Sequence, residues 1–298
     1  MATDAAGNVV ISGYTTGSLG RSNQGNLEAF VAKYSGDGKL LWKRQLGTPF
    51  EEQESTSVAT DKDGNIAIAG TVGEYGCGEC LHAFVARYAA SGKLLWKRRL
   101  DTATLGGPAT DGANNVLIGG STSGGAFLAK YSPSGMLLWN RRVGTAGYFS
   151  ELGVATDKDS NVLISGVTEE DSAQSAFVAK YSASGKFLWK RRFGTLGRYD
   201  ETNVWSVGTD PAGNVLIVGT TKGFRFGPTQ GGYDAFVAKF SATGNLLWTR
   251  QLGTPDEDSA FDAATDVAGN VVIGGFTRGS FGGANQGDLD VFVVKLRP

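Results

Sequence analysis

The sequence lacks most of the groups on which common binding and catalytic sites depend. Its 298 residues include one histidine and two cysteines, and its formal net charge is −1. A nearly neutral chain is not a general polyanion binder, since such proteins are normally basic. Two cysteines are too few for a disulfide framework. No apolar run approaches the ~20 residues that cross a bilayer.

Signals for processing, helices and catalysis are also missing. Met1 leads straight into repeat sequence, so we expect no signal peptide within it. No window shows a sustained helical period. There is no Ser–His–acid pattern and no glycine-rich phosphate loop between a strand and a helix. We therefore expect no enzyme activity, no catalytic residues and no cofactor.

Glycine, in contrast, is abundant, with 45 residues. The glycines fall at fixed places in short β-like segments, which indicates a turn-rich all-β protein. An aspartate after "AT" or "GT" returns about every 50 residues, the period of four-stranded propeller blades. These aspartates are Asp4, Asp61, Asp111, Asp157, Asp210 and Asp266.

One repeat divides into four strand-like segments joined by short turns. They are Ser55–Asp61 (strand A), Asn65–Thr71 (strand B), His82–Ala89 (strand C) and Lys93–Leu100 (strand D). Antiparallel strands of this length form one twisted sheet. The sequence predicts a single β-propeller domain over 1–298, with six blades of four antiparallel strands. Its repeats cover 1–54, 55–104, 105–150, 151–203, 204–259 and 260–298.

The sixth repeat is shorter than the others. The phrase "FVAKYSGDGKLLWKR" at Phe30–Arg44 has relatives in five repeats, but the sixth copy, from Phe292, reads only "FVVKLRP". We predict that blade six lacks its outermost strand and exposes an edge of strand C. An open row of backbone groups there is a place for strand pairing with another chain.

Three sets of repeated side chains have structural interpretations. Strand D carries basic residues. We interpret them as protection of an exposed sheet edge against aggregation rather than as a track for nucleic acid. The repeated aspartates share one blade end with a repeated cation of strand C, so we expect ion pairs or hydrogen bonds between them. The cations are Lys33, Arg87, Lys130, Lys180, Lys239 and Lys295. The strand D tryptophans, expected to cover blade contacts, are Trp42, Trp96, Trp139, Trp189 and Trp248.

The segments "ATDAAGNVVISGYT…EAFVAKYSGDG" and "GTDPAGNVLIVGTT…DAFVAKFSATG" resemble the bacterial seven-bladed β-propeller repeat (SBBP) family. The resemblance recurs six times and implies the propeller fold and a secreted or cell-surface location in a bacterium. Seven blades are implied by the family, whereas this chain encodes six at most. A second likeness, confined to strand D, links "SGKLLWKR" to the "TGKxxW" repeats of quinone-dependent dehydrogenases and related assembly-factor propellers.

The loops differ between the two ends of a blade. The A–B and C–D turns are short and nearly constant, whereas the D–A and B–C connections vary, and variable loops on a fixed scaffold commonly bind ligands. Carboxylates beside aromatic rings suit sugars, cationic ligands or Ca²⁺, but polar loops with a few capping aromatics explain the pattern as well. The candidate ligand-binding residues are Glu51, Glu52, Tyr75, Tyr148, Phe149, Tyr199, Asp200, Phe224, Phe226, Tyr233, Asp256 and Glu257.

The motif "CGEC" at Cys77–Cys80 offers two thiols in a B–C loop. A local disulfide or two free thiols is the preferred interpretation, because a fourth zinc ligand is not evident and no helix follows. We assign no metal. The leading hypothesis is an extracellular, non-catalytic binding or display propeller for a protein or glycan ligand. The alternatives are a polysaccharide hydrolase or lyase using loop carboxylates, and a purely structural surface repeat.

Overall fold

The computed structural model describes residues 1–23, 27–48, 51–74, 81–102, 104–122, 125–144, 148–170, 173–193, 201–223, 226–266 and 268–297. These residues form strands and turns. No helix occurs among them, and thus none that is long and apolar enough to cross a membrane. The chain divides into two compact units, Met1–Thr145 and Ala146–Pro298.

The first unit contains three antiparallel sheets, blades 1 to 3. In blade 3 the first strand is split, and both of its parts pair with β11. The strands of blade 1 are β1 Ala2–Thr3, β2 Val9–Thr15, β3 Glu28–Tyr34 and β4 Leu40–Leu46. Those of blade 2 are β5 Glu51–Thr60, β6 Ile66–Glu74, β7 Leu81–Tyr88 and β8 Leu94–Leu100. Those of blade 3 are β9 Thr104–Leu105, β10 Ala109–Thr110, β11 Val116–Thr122, β12 Gly125–Tyr131 and β13 Leu137–Arg142.

The second unit contains blades 4 to 6. Two of these sheets have four strands, and the last has three, in the order β22-β23-β24. Blade 4 consists of β14 Tyr148–Thr156, β15 Val162–Glu170, β16 Ala173–Tyr181 and β17 Phe187–Phe193. Blade 5 consists of β18 Glu201–Thr209, β19 Val215–Lys222, β20 Asp234–Phe240 and β21 Leu246–Leu252. Blade 6 consists of β22 Asp258–Thr265, β23 Val271–Thr277 and β24 Asp290–Leu296.

The predicted fold class is confirmed. The chain is an all-β, six-bladed propeller with antiparallel blades, and the last blade lacks a fourth strand. The strand boundaries expected for blade 2 agree with β5 to β8 to within one residue, except that β5 begins earlier, at Glu51, and β6 ends later, at Glu74.

Each A–B turn is closed by its own aspartate. In blade 1 the Asp4 carboxylate accepts hydrogen bonds from the backbone amides of Ala6 (3.0 Å) and Asn8 (2.9 Å). Gly7 takes the left-handed conformation that this turn requires, with φ 76°. Blades 3 and 4 place Asn114 and Ser160 at the same turn position, with φ 62° and 59°. Short polar side chains tolerate this conformation better than bulky ones do, so the turn is preserved without glycine.

The core lies between successive blades within each unit. Alternate residues of a strand point to opposite faces of its sheet. In blade 5, Ala235 and Val237 pack against the next blade, in one cluster with Ile273 and Phe292. Phe236, on the opposite face, packs in a cluster with the preceding blade. Both faces of an interior blade are therefore apolar, which explains why "FVAKY"-type strands show no polar side.

Candidate functional site

Ion pairs join the A–B turn to strand C in every blade. The cation belongs to the strand C set that the sequence singled out, and it contacts the turn aspartate of the same blade. The pairs are Asp4–Lys33 (2.8 Å), Asp61–Arg87, Asp111–Lys130 (2.6 Å), Asp157–Lys180 (2.8 Å), Asp210–Lys239 (2.9 Å) and Asp266–Lys295 (2.8 Å).

Several of these cations also bridge to the next blade. Lys33 donates to the carbonyl of Gly64 (3.5 Å), and Lys180 donates to that of Ala242 (3.2 Å). Burial raises the pKa of Asp4, but the hydrogen bonds from Lys33 and Asn8 outweigh it and lower the pKa to about 2. Asp4 thus stays ionised at neutral pH. The repeated ion pairs form a structural brace within each blade.

Strand D tryptophans make a second repeated contact between blades. Three of them donate an indole hydrogen bond to a carbonyl in the C–D turn of the following blade. These bonds are Trp42 to Ala90 (2.9 Å), Trp96 to Pro133 (3.0 Å) and Trp189 to Ala242 (3.1 Å). The rings of Trp139 and Trp248 lie beneath the guanidinium groups of Arg141 and Arg250 (both 5.6 Å from the ring centroid).

The structure describes only some of the candidate loop residues. Tyr233, Asp256 and Glu257 lie in described loops of blades 5 and 6. Phe226 is buried and stacks on Phe236, with 4.4 Å between ring centroids. Phe226 therefore does not lie on the loop surface, because its apolar ring packs in the core cluster of blades 4 and 5. The following lie outside the described residues or have side chains that do: Glu51, Glu52, Tyr75, Cys77, Cys80, Tyr148, Phe149, Tyr199, Asp200 and Phe224.

Tyr233 is the centre of a polar cluster at the loop end of blade 5. Its hydroxyl donates to a carboxylate oxygen of Glu201, and the ammonium of Lys222 lies 5.5 Å from its ring centroid. The hydrogen bond to Glu201 raises the pKa of Tyr233 to about 12. In blade 6, Arg278 Nε donates to Glu257 Oε2 (3.1 Å). The cluster presents paired charges and a partly exposed ring that remains protonated.

Two fully buried aspartates hold the loops that carry this cluster. Asp234 Oδ2 accepts hydrogen bonds from the Gln230 amide (3.0 Å) and from Gln251 Nε2 (2.7 Å). Asp258 Oδ2 accepts from the amide and the hydroxyl of Thr254, at 2.6 and 2.9 Å. The loops on either side of Tyr233 and Glu257 are therefore fixed by the scaffold, which favours a preformed surface.

An exposed aromatic pair lies on the first strands of blades 5 and 6. Trp205 and Phe261 are 40% and 44% exposed, and their ring centroids are 5.5 Å apart in an edge-to-face contact. Trp205 Nε1 donates to Thr220 Oγ1 (3.0 Å), which fixes the indole. The carboxylate of Asp262 lies beside the pair and accepts from Ser206 (2.8 Å).

This pair was not predicted, because both residues lie within strands, where aromatic side chains suggest core. Each sits at a β-bulge, where the ladder skips from Val204 to Ser206 and from Ala260 to Asp262. The extra residue turns its side chain out of the regular alternation. The sequence does contain a signal for this pair. The corresponding bulge residue in blade 2 is Thr56, so a large aromatic ring at this position departs from the repeat.

A groove of about 920 Å³ lies at the opposite end of the second unit, between blades 4 and 5. It is lined by Trp189 and Arg191, together with the buried pair Asp157–Lys180. Trp189 and Arg191 already donate to the carbonyls of Ala242 and Gly244, so the groove follows from the repeated contacts between blades.

The chain belongs to the family described as outer membrane protein assembly factor BamB, whose model matches residues 81–295. The strand D likeness to assembly-factor propellers pointed to this family, whereas the resemblance to the seven-bladed repeat family stays a prediction. A search of curated proteins found no match.

Solved structures share the fold at low sequence identity. A protein from Lactobacillus plantarum is 15% identical, with a TM-score of 0.57, over 99% of this chain and 83% of that one. NanB sialidase from Streptococcus pneumoniae is 9% identical, with a TM-score of 0.60, over 99% and 67%. The propeller domain of the Trilobed protease from Pyrococcus furiosus is 10% identical, with a TM-score of 0.53, over 98% and 79%. At these identities the likeness concerns the fold alone.

Proposed function

We propose that the chain is a non-catalytic binding module that recognises a protein segment through the first strands and the loops of blades 5 and 6. The observation that carries the proposal is the exposed pair Trp205–Phe261 on β18 and β22, in which the hydrogen bond to Thr220 fixes the indole and Phe261 packs against it. Exposed aromatic rings on fixed elements are the commonest anchors of protein recognition. Membership of an assembly-factor family supports a protein ligand over a glycan, and a bacterial, extracytoplasmic location.

The charges of the loop cluster and of Asp262 indicate the chemistry of the ligand. Carboxylates outnumber cations, and Glu257 and Glu201 are already paired with Arg278 and Tyr233. Asp256 is exposed, and Asp262 is accessible beside the aromatic pair. Acidic groups next to aromatic faces favour a lysine- or arginine-bearing segment, through ion pairs and cation–π contacts. Asp256, Glu257 and Tyr233 thus remain proposed ligand-binding residues, joined by Trp205 and Phe261.

The contact between Tyr233 and Glu201 argues against Tyr233 as a catalytic nucleophile. A tyrosine nucleophile needs a pKa lowered towards the working pH. Glu201 has the opposite effect, since its hydrogen bond and negative charge raise the pKa of Tyr233. The pair instead orders a partly exposed ring next to Lys222.

The free edge of β24 is proposed as a second binding surface of the same module. In the second unit the strand D positions next to β16 and β20 are filled by β17 and β21, whereas β24 ends its sheet. Backbone groups along such an edge pair with an added strand.

A peptide-display experiment tests the loop-face assignment. A library of random peptides is selected on the wild-type chain and then counter-selected on the Trp205→Ala, Phe261→Ala double variant. We expect enrichment of cationic peptides that bind the double variant at least about ten-fold more weakly, consistent with loss of a hot-spot residue. The Leu247→Ala variant, changed at an exposed strand D position, is the matched control and keeps wild-type binding.

Two further measurements separate the alternatives. Binding on a glycan array that the double variant loses, without peptide enrichment, would replace the protein ligand by a glycan. Release of reducing sugar from a polysaccharide, abolished by Glu201→Gln, would overturn the non-catalytic assignment.

A further inference from the structure

In blades 5 and 6, the phenylalanine of strand C is covered by a second ring from the B–C loop of the same blade. Phe226 stacks on Phe236, with 4.4 Å between ring centroids, and Phe281 packs on Phe292 at 4.8 Å. Phe236 is 0% exposed and Phe292 is 5% exposed. The loop of each blade thus supplies the ring that its own sheet needs.

Blades 2 and 4 cover the same phenylalanine with a lysine of strand D. The Lys97 ammonium lies 5.3 Å from the ring centroid of Phe84, and the Lys190 ammonium lies 4.9 Å from that of Phe177. Both rings are fully buried. A cation above the face of a ring takes the place of the second ring in these blades.

Blade 3 has neither kind of cover among its described residues. Only two residues, neither of them aromatic, separate β11 from β12, so this connection has no ring to contribute. In the strand ladder, Asn140 takes the place of the covering lysine. Phe127 is only partly buried, and a cavity of about 510 Å³ lies beside it, although protein interiors rarely leave such space.

We propose that this cavity between blades 2 and 3 binds a small aromatic carboxylate, whose ring lies where Phe226 lies in blade 5. The apolar side chains of its lining are Leu100, Phe127, Ala129 and Tyr131. The volume falls within the range of small-molecule sites, which combine apolar walls with a few polar groups. The corresponding cavity of blades 4 and 5, which has Phe226 in its wall, measures about 320 Å³. The site lies in the first unit and does not depend on the proposed peptide surface of blades 5 and 6.

The side chain of Arg142 indicates that the ligand carries a carboxylate. Arg142 lines the cavity and takes the strand D position of Gln251 in blade 5. Gln251 accepts a hydrogen bond from the Phe226 amide (3.3 Å) and donates one to the Gly223 carbonyl (2.9 Å), and so holds a polypeptide loop. A guanidinium has donors only, together with a positive charge. It therefore suits a carboxylate better than the N–H of a peptide.

Asp101 is the other charged residue of the lining. Its carboxylate is fully exposed, so water weakens its effect on a bound ligand. Arg142 Nε, in contrast, donates to the carbonyl of Gly144 (2.9 Å), which orients the guanidinium. The charge that governs binding in the cavity is therefore that of Arg142.

Ligand-observed NMR on the full chain tests the site with phenylpropionate as the probe. The wild type should bind phenylpropionate but not propionate, which has the same carboxylate without the ring. Asn140→Lys introduces the lysine found in blades 2 and 4, and it should abolish binding. Thr249→Lys makes the same change at the equivalent position of blade 5, and it should bind the probe like the wild type.

A neutral probe separates the role of the ring from that of the charge. Arg142→Gln should bind phenylpropionate about ten-fold more weakly, as expected for loss of one hydrogen bond to a charged group. It should bind phenylpropionamide, the uncharged analogue, as the wild type does. A wild type that binds neither probe, or an Asn140→Lys variant that binds both, would overturn the inference. Stronger binding of N-acetylphenylalanine amide than of phenylpropionate would also overturn it, because the ring would then come from a polypeptide.

Discussion

Strands β20 and β24 have almost the same sequence and opposite surroundings. β20 reads "DAFVAKF" and is buried along its whole length, whereas β24 reads "DVFVVKL" and has only Phe292 buried, with its other residues partly or fully exposed. β20 lies between β19 and β21, and the next blade covers one of its faces. β24 has one neighbouring strand and an uncovered face. The same residue types therefore contribute differently to stability, and surroundings rather than sequence set their roles.

Removing the lysine of each strand should give the largest contrast. In the pair Asp210–Lys239 the side chains are 4% and 8% exposed, whereas in Asp266–Lys295 they are 33% and 56% exposed. Lys239→Met leaves a buried carboxylate without its cation, and we expect a loss of about 3 kcal/mol in unfolding free energy. Lys295→Met should cost less than about 1 kcal/mol. Urea unfolding of both variants measures the difference, and equal losses would contradict it.

Acid should reduce the effect of Lys239→Met. Burial raises the pKa of Asp210, but hydrogen bonds from Lys239 and Asn214 lower it below the ordinary value of 3.8. A lowered folded-state pKa contributes stability that is present above the ordinary value and is lost as the pH falls below it. The wild type and Lys239→Met should therefore converge in stability below about pH 4. A constant difference down to about pH 2 would show that the ion pair is not the cause.

Shortening one valine on each strand is a weaker test of the same contrast. Val237 is 1% exposed and Val293 is 72% exposed. Val237→Ala leaves a cavity and should cost about 2 kcal/mol. Val293→Ala should change stability by less than about 0.5 kcal/mol, because its side chain is exposed. Thermal unfolding at low protein concentration compares the two variants, and a similar loss in both would mean that the β24 face is covered.

The strand D tryptophans of blades 4 and 5 should show the smallest difference in stability. Trp189 donates to the carbonyl of Ala242 in the next blade (3.1 Å). Blade 6 has no strand D, and thus no C–D turn of this kind to accept from Trp248. Trp189→Phe keeps an aromatic ring but loses the hydrogen bond, at a cost of about 1 kcal/mol. Trp248→Phe should cost less, as measured by urea unfolding, and the reverse order would contradict the repeated role of the indole.

Much of the fold was predictable because the sequence pattern of a blade recurs in six repeats. Strand periodicity, the Asp–Gly turns and the missing sixth strand D are local features, and the structure agrees with each of them. The contact between Asp157 and Lys180 was foreseeable as well, since both occupy one end of the blade. Aggregated over six copies, weak local signals became a clear pattern.

The candidate site was less predictable because it depends on departures from the repeat. Phe226 looked like a loop aromatic, yet it packs on Phe236 in the core. Trp205 and Phe261 were not singled out from the sequence, yet β-bulges leave them exposed and in contact with each other. Whether a ring faces water depends on the neighbouring blade, which lies about 50 residues away in the chain.

By itself, the sequence determined the class of fold, the missing outer strand of blade 6 and the turn chemistry. These follow from local steric preference and from hydrogen bonds within a few residues, such as that from Asn8 to Asp4. Only the tertiary structure decided which copies of a repeated residue are buried. Val237 and Val293 are the same residue in the same pattern, but packing against a following blade removes one from water and leaves the other in it.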